Sequence, residues 1–419
     1  MNRSLKFLTA CLAITAIAGA TSASAASLKF WKFGTPDEVA NVALQGWVTQ
    51  WNKLNPEMTV EFKVFPFNDY TGPVLTTAFA SGAGPDVFWA SPGNFIQYVN
   101  TGIAADLSSI FTPTLKKDLL PAALEAVSVN GKPYSMPFEQ EPVALYYNKT
   151  LFAKHHLNVP KTWDELLSVS EKFKAAGIVP IDIEVAPGQY QNFTWYPFQW
   201  QTGAQAADPN LTKAGINSKG TADALDLWRT LIQKGYAPRT APDCICNIAS
   251  TPFASGQAAM AEDGMWAIAQ MQQSAPKVKF GITHLPTPTG KNHVTVYGGW
   301  TQMVNAKSAN VEAAKRFTAW MWATTTDRPL EWVTKINSKF SPRKSVTAAG
   351  KVFYDLPNMR TFRDVILPTA KAEPRYPLEM VKIIGDALQS SMFRNTPGTE
   401  AAASAQTQLE AFLKTFNAK

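Results

Sequence analysis

The feature that most constrains this chain is a strand–helix–strand unit between residues 28 and 64. Leu28-Lys29-Phe30-Trp31 reads as a strand with Leu28 and Phe30 on one face. Thr35-Pro36-Asp37-Glu38 follows, and it predicts a helix start: Thr35 as cap, Pro36 at the first helical position, Glu38 completing a capping box. Val39, Ala43, Trp47, Trp51 and Leu54 then recur at helical spacing, with Pro56 beyond them. Val60, Phe62 and Val64 alternate as a second strand. A helix between two short strands is the unit of a mostly parallel sheet covered by helices on its faces. The predicted class is therefore α/β.

The same grammar continues along the chain. Val74 to Ala80 reads as a short helix, and Asp86 to Ala90 as a buried strand. Thr162-Trp163-Asp164-Glu165 is a second capping box, and its helix carries Leu166, Val169 and Phe173 before Gly177. Ile178 to Ile183 is strand-like. Thr221 opens a helix through Leu225, Trp228 and Leu231, closed by Gly235. Val294 to Val304 is apolar but interrupted by Gly298-Gly299, and from about residue 355 the pattern is mainly helical. In open α/β sheets the ligand sits beyond the carboxyl ends of the strands. That rule directs attention to the turns at Phe33-Gly34-Thr35, Ser91-Pro92-Gly93-Asn94 and Gly298-Gly299-Trp300.

A leader precedes the first strand. Arg3 and Lys6 are followed by an apolar stretch, Phe7 to Ala20, and by Ala23-Ser24-Ala25, an A-x-A cleavage signal. Residues 1–25 are read as a signal peptide. Cys11 precedes most of the apolar run instead of following it, so lipidation is rejected. Losing Arg3 and Lys6 lowers the net charge from +7 to +5, with no basic run to track a phosphate backbone, so no nucleic-acid partner is expected. No later stretch has 18 consecutive apolar residues. Cys244 and Cys246 are the remaining cysteines, and a disulfide, a loop clip or two free thiols are all open to them.

Catalytic and metal motifs are sparse. His155 and His156 are adjacent, so they cannot share a helix face as ligands, and no H-E-x-x-H, G-x-S-x-G or phosphate-binding loop occurs. Glu139 and Glu141 share a face if extended, which fits either acid/base work or the holding of hydroxyls. The aromatic content points elsewhere. Of the 13 Trp, four (Trp31, Trp89, Trp266 and Trp300) fall at strand ends or loop starts, with Asp86, Glu139, Gln140 and Glu141 nearby. A sugar ring offers a C–H face for indole and a rim of hydroxyls for carboxylates and amides.

Four stretches in this order resemble the extracellular solute-binding proteins of bacterial ABC importers, the group that includes maltose-binding protein. They are Ser81-Gly82-Ala83-Gly84-Pro85-Asp86-Val87-Phe88-Trp89-Ala90; Gly131-Lys132-Pro133-Tyr134 through Tyr147-Asn148-Lys149 and on to Leu166; Phe253-Ala254-Ser255-Gly256-Gln257-Ala258-Ala259-Met260 with Gly264-Met265-Trp266; and Phe280-Gly281-Ile282 through Gly298-Gly299-Trp300. The resemblance implies a two-lobed periplasmic-binding-protein fold with the ligand cleft at a hinge. It places one lobe at 27–139 plus 297–341 and the other at 140–296 plus 342–419. It implicates Asp86, Ala90, Ser91 and Asn94 near the first motif, Glu141 with Glu139 as neighbour, Trp266 as a stacking platform, and Arg375-Tyr376 as a late aromatic position. Where maltose-binding protein carries an acidic residue soon after the Phe88-Trp89-Ala90 strand, this chain has Ser91-Pro92-Gly93, which argues against the same malto-oligosaccharide chemistry.

The expectation is a periplasmic, monomeric carbohydrate binder that docks on the transmembrane permease subunits of an ABC importer, with no catalysis and no cofactor. The expected ligand set is Trp31, Lys32, Asp86, Ser91, Asn94, Glu139, Gln140, Glu141, Trp266, Gly298, Gly299, Trp300, Arg343, Arg375 and Tyr376. Two competitors stand beside it. One is a binder of an anionic solute such as a glycerophosphate diester, for which Lys32, Arg343 and Arg375 supply cations. The other is a secreted carbohydrate-active enzyme using Glu139 and Glu141.

Overall fold

The computed structural model describes residues 26–241 and 244–416; the leader assigned to 1–25 lies outside them. Thirteen strands occur among the described residues: β1 (Ala26–Phe33), β2 (Met58–Phe65), β3 (Val87–Ala90), β4 (Ser128–Val129), β5 (Lys132–Pro133), β6 (Met136–Pro137), β7 (Glu141–Asn148), β8 (Val179–Asp182), β9 (Ala258–Gly264), β10 (Phe280–Thr283), β11 (Thr295–Gly298), β12 (Thr301–Val304) and β13 (Ala370–Ala372). They form a five-stranded sheet, β2-β1-β3-β12-β6, and a six-stranded sheet, β13-β11-β7-β9-β8 with β10 on β7; β4 and β5 make a small hairpin.

The fold is the two-lobed α/β arrangement, but its sheets are mixed. β1 pairs parallel with β2 and β3, as the opening β-α-β unit requires. The strands that enter from the other lobe run against their neighbours: β12 is antiparallel to β3 and β6, and β7 is antiparallel to β9 and β11. A chain that leaves one sheet and returns through a short link arrives in the opposite direction.

Among the described residues, three passages join the lobes. The first is Phe138–Gln140, between β6 and β7. The second is Gly299-Trp300, between β11 and β12. Gly299 has φ +144, and a Cβ there would collide with the Glu139 carbonyl oxygen, so the two passages touch where only glycine fits. The third passage lies later than the resemblance placed it. Residues 342–354 are bonded to the five-stranded lobe: Arg343 Nε lies 2.7 Å from Asp118 Oδ2, the Leu120 N–H donates to the Pro342 carbonyl at 2.8 Å, and the Tyr354 hydroxyl donates to the Lys339 carbonyl at 3.1 Å. The short helix Pro357–Thr361 then packs against β10. Beside the first passage, Gln140 and Phe340 exchange backbone hydrogen bonds at 2.8 and 3.0 Å.

Local signals held unevenly. The box at Thr162–Glu165 forms as read, with the Glu165 N–H donating to Thr162 Oγ1 at 3.1 Å and Glu165 Oε2 accepting from the Thr162 N–H at 3.2 Å. The box at Thr35–Glu38 does not form. That segment is a turn, and the helix begins at Val39 with Glu38 as an N-cap that makes no side-chain cap bond. Burial on the packed face of the helix Val39–Leu54 comes from Leu44, Trp47, Val48 and Trp51.

Candidate functional site

A cavity of about 500 Å³ opens between the two lobes. The five-stranded lobe supplies the carboxyl ends of its strands: Lys32 and Phe33 from β1, and Ser91 and Pro92 after β3. The six-stranded lobe supplies the amino end of β7 (Glu141), Trp266 just after β9, Gly298 at the end of β11, and Gln189, Tyr190 and Phe193 at the start of the helix Gln189–Gln201. Trp300 and Glu139, from the two passages, close the floor.

Four buried charges dominate its electrostatics. Lys32 is 2% exposed and Lys339 3%. The Lys339 Nζ pairs with a Glu141 carboxylate oxygen, lies 3.7 Å from Glu139 Oε1, and sits 4.2 Å above the Trp266 ring. Glu139 Oε2 accepts from Trp332 Nε1–H at 2.6 Å and from Asn337 at 3.5 Å, whereas its Oε1 has no hydrogen-bond partner. Lys32 donates to the Phe33 carbonyl at 2.9 Å and lies over the Phe33 and Trp89 rings at 4.1 and 4.8 Å. Burial lowers both lysines to about 8; Glu38 and Glu139 oppose the fall at Lys32, and Glu139 opposes it at Lys339. One ammonium, Lys339, faces two carboxylates, and Asp37, Glu38 and Glu373 add further carboxyl groups to the lining, so acidic groups outnumber basic ones in the cavity.

A fifth group sits at the rim. Burial pushes the Glu373 carboxyl up to about 7, against the hydrogen bonds it accepts from Gln189 and the Gly93 N–H. Gln189 Nε2 reaches Glu373 Oε1 at 3.1 Å and also Ser91 Oγ, while its Oε1 accepts from Asn94 Nδ2 at 2.9 Å. Gln189 therefore ties the helix Pro92–Asn100 of one lobe to the other lobe.

Aromatic faces complete the lining. Trp300 packs on Phe33 at 4.3 Å between centroids and edge-on to Phe67 at 6.0 Å. Trp266 is held by its Nε1–H, which donates to the Cys246 carbonyl at 2.8 Å, and by Tyr190 at 6.1 Å. Gly264 makes room for it, because a Cβ there would occupy the space of the Trp266 ring. The arrangement combines flat apolar faces with acceptors and donors that protein neighbours do not fully use. It can enclose a polar, ring-shaped solute.

The sequence matches the family described as bacterial extracellular solute-binding protein over residues 35–324. The chain belongs to that family. Relatives of this solute-binding protein include the multiple sugar-binding protein of Streptococcus mutans, 28% identical over 285 residues, which is 65% of this chain and 66% of the relative. Among solved structures, the maltose-bound MalE3 of T. maritima matches with a TM-score of 0.81 at 23% identity, covering 93% of this chain and all of the other. UgpB from Mycobacterium tuberculosis, in complex with glycerophosphocholine, matches with a TM-score of 0.76 at 21% identity, covering 94% of this chain and all of the other.

The solute-binding protein brings eight of the expected residues to the cavity: Lys32, Ser91, Glu139, Glu141, Trp266, Gly298, Gly299 and Trp300. Asn94 stands one bond behind it, on Gln189. The others lie elsewhere. Trp31 alternates out of register with Lys32, so it points to the opposite face of β1, against Phe65 at 4.8 Å and Lys63 at 5.9 Å. Asp86 is at the amino end of β3, the wrong end of the strand; it accepts from the Lys29 N–H at 2.7 Å and from Ser308. Gln140 serves through its backbone, in the pairing with Phe340. Arg343 is consumed by Asp118 and by the Trp322 and Thr325 carbonyls at 2.9 and 2.7 Å. Arg375 and Tyr376 line a separate cavity of about 460 Å³ with Trp200 and Asp208.

Sequence reasoning missed Lys339, Gln189, Tyr190, Phe193 and Glu373. The run Tyr190-Gln191-Asn192-Phe193-Thr194-Trp195-Tyr196 carried the one available signal: a helix buried on all sides, and therefore central. Nothing in Ser338-Lys339-Phe340 marks its lysine, which reaches the site through tertiary packing alone.

Proposed function

We propose that this protein captures an uncharged carbohydrate in the inter-lobe cavity, closes on it, and delivers it in the periplasm to the transmembrane subunits of an ABC importer, acting as a monomer and without chemistry on the sugar. The observation that carries this reading is the conjunction of Trp266 and Trp300 with the buried charged set Lys32, Lys339, Glu139 and Glu141. Aromatic faces match the C–H side of a sugar ring, and the charged set offers both donors and acceptors to its hydroxyls. A closed cavity excludes water, so every hydroxyl needs such a partner. The sugar-binding relative in Streptococcus mutans and the maltose-bound structural match support the same class.

The moving bodies in this reading are the five-stranded lobe with residues up to about Tyr354 and the six-stranded lobe with the rest. Ligand contacts both, so it favours the closed arrangement.

The anionic reading draws on the two buried lysines and on the glycerophosphocholine complex of the similar UgpB. Asp37, Glu38, Glu139, Glu141 and Glu373 oppose it, because a phosphate would enter a cavity lined by five carboxyl groups. A thermal-shift screen over sugars, polyols and glycerophosphodiesters decides. A native-state ligand raises stability by RT ln(1 + [L]/Kd), about 2.7 kcal/mol at a hundredfold excess. Sugars are expected to raise the melting temperature and phosphodiesters to leave it unchanged. Glu141→Gln then sets the sign: it weakens a sugar by about 1–3 kcal/mol and strengthens an anion.

A further inference from the structure

Cys244 and Cys246 are joined as a disulfide with Cα atoms 5.1 Å apart, and both line the ligand cavity. Stabilisation by a cross-link grows with the length of the loop it closes, so a bridge across one residue restrains the unfolded chain very little. Its effect is local. What it restrains is the backbone of Cys244, Ile245 and Cys246, and that backbone is busy. The Cys246 carbonyl accepts from Trp266 Nε1–H at 2.8 Å and from Gln270 Nε2 at 3.3 Å. Gln270 in turn accepts from the Ile248 N–H at 3.0 Å, and the Ile245 N–H donates to a Glu184 carboxylate oxygen at 3.0 Å. The indole read as a sugar platform is thus oriented by a carbonyl borne on the Cα of Cys246, the last backbone atom of the disulfide ring.

We propose that the Cys244–Cys246 disulfide is a thiol–disulfide exchange site in the wall of the cavity, coupled to the ligand through Trp266. The chemical partner is a dithiol. Cys246 is partly exposed and Cys244 is only 4% exposed, so attack falls on Cys246 Sγ from the cavity side. The incoming thiolate forms a mixed disulfide with Cys246, the old S–S bond breaks, and Cys244 leaves as a thiolate that takes up a proton. The second thiol of the reagent then closes on its partner sulfur and frees the Cys246 thiol. Two electrons and two protons pass to the cysteines, and the reagent becomes a disulfide. With the ring open, the three residues regain backbone freedom and the Cys246 carbonyl no longer fixes the indole. Coupling between two binding events is reciprocal. Reduction therefore weakens the sugar, and bound sugar, filling the approach to Cys246, slows reduction.

This inference rests on the carbohydrate reading for its ligand half, but its first test needs no ligand. Protein with its leader removed is treated with dithiothreitol at neutral pH, free thiols are counted by alkylation, and Trp emission is recorded for wild type and Trp266→Phe. Two thiols are expected, with an emission change in wild type that Trp266→Phe lacks. In the second arm, the sugar identified by thermal shift is titrated into oxidised protein, reduced protein and the Cys244→Ser/Cys246→Ser double variant. Affinity is expected to fall at least about fivefold in the latter two, with cooperative melting retained, and saturating sugar is expected to slow thiol release. No thiols after excess dithiothreitol, an emission change that persists in Trp266→Phe, unchanged affinity on reduction, or thiol release indifferent to sugar would each overturn the proposal. A protein that binds no sugar yet shows the Trp266-dependent emission change would sink the carbohydrate reading alone.

Discussion

The two walls of the cavity are built by different means. The wall from the five-stranded lobe is organised round strand ends: Lys32-Phe33 closes β1 and Ser91-Pro92 follows β3, with the turn and helix start at residues 34–40, Phe67 and residues 336–339 beside them. The opposite wall is collected from five distant segments, around Glu141, Gln189–Phe193, Cys244–Ser250, Trp266–Ser274 and Glu373. The first wall is a consequence of sheet topology, since ligands lie beyond strand carboxyl ends. The second is a consequence of packing and can change without disturbing a strand. Lys339 stands between them: its ammonium belongs to the five-stranded side, yet it reaches Glu141 and the face of Trp266 on the other.

Breaking that junction should give the largest effect. Lys339→Met leaves Glu139 and Glu141 buried without their cation, which costs about 3–5 kcal/mol when one partner of a buried pair is removed. A urea unfolding curve measures it, and a midpoint within error of wild type would show that the carboxylates have other means of support. Next comes the touching point of the two passages. Gly299→Ala forces a side chain into φ +144 and onto the Glu139 carbonyl, an expected loss of about 1–3 kcal/mol in the same experiment. Equal stability of the alanine variant would mean the passages are looser than described.

A third effect concerns the buried carboxyl of Glu373, and it is read as a pH dependence. Burial raises Glu373 from its usual 4.5 to about 7. The folded protein then holds a proton that the unfolded chain has lost, so this group's contribution is fully present below pH 4.5 and disappears as pH rises through 7. Melting temperatures of wild type should accordingly fall relative to Glu373→Gln between pH 5 and 8. Parallel pH profiles for the two proteins would show that Glu373 is solvated, not walled in by Gln189 and Gly93.

Legibility in the sequence crossed the two walls: Glu141, Trp266 and Gly298 of the packed wall were expected along with Lys32 and Ser91 of the other. Strand and turn signals are local, so Lys32, Ser91, Gly299 and Trp300 could be placed from a period of two and from turn residues alone. The same period, applied to β1, sends Trp31 away from the cavity when Lys32 faces it, and the position of Asp86 at the start of β3 puts it at the wrong end of the strand. Arg343 was chosen for its charge, but its partner Asp118 is far off in the chain and invisible to any local pattern. Lys339, Gln189 and Glu373 were missed for the same reason: each is polar, isolated in sequence, and brought to the site by packing between segments. The α/β class was legible because strand–helix alternation repeats over hundreds of residues; the two lobes and their hinge were implied by the resemblance to solute-binding proteins.

One measurement tests the account most directly: calorimetric titration of the sugar into wild type, Trp300→Ala, Trp266→Ala and the double variant. The two tryptophans come from the floor and from the packed wall, so each should contribute to one enclosed ligand. Each single variant is expected to stay folded and bind at least tenfold more weakly, about 1.4 kcal/mol, and the double variant to show no saturable heat. Wild-type affinity in a folded Trp266→Ala or Trp300→Ala variant would contradict enclosure of the sugar between the two walls.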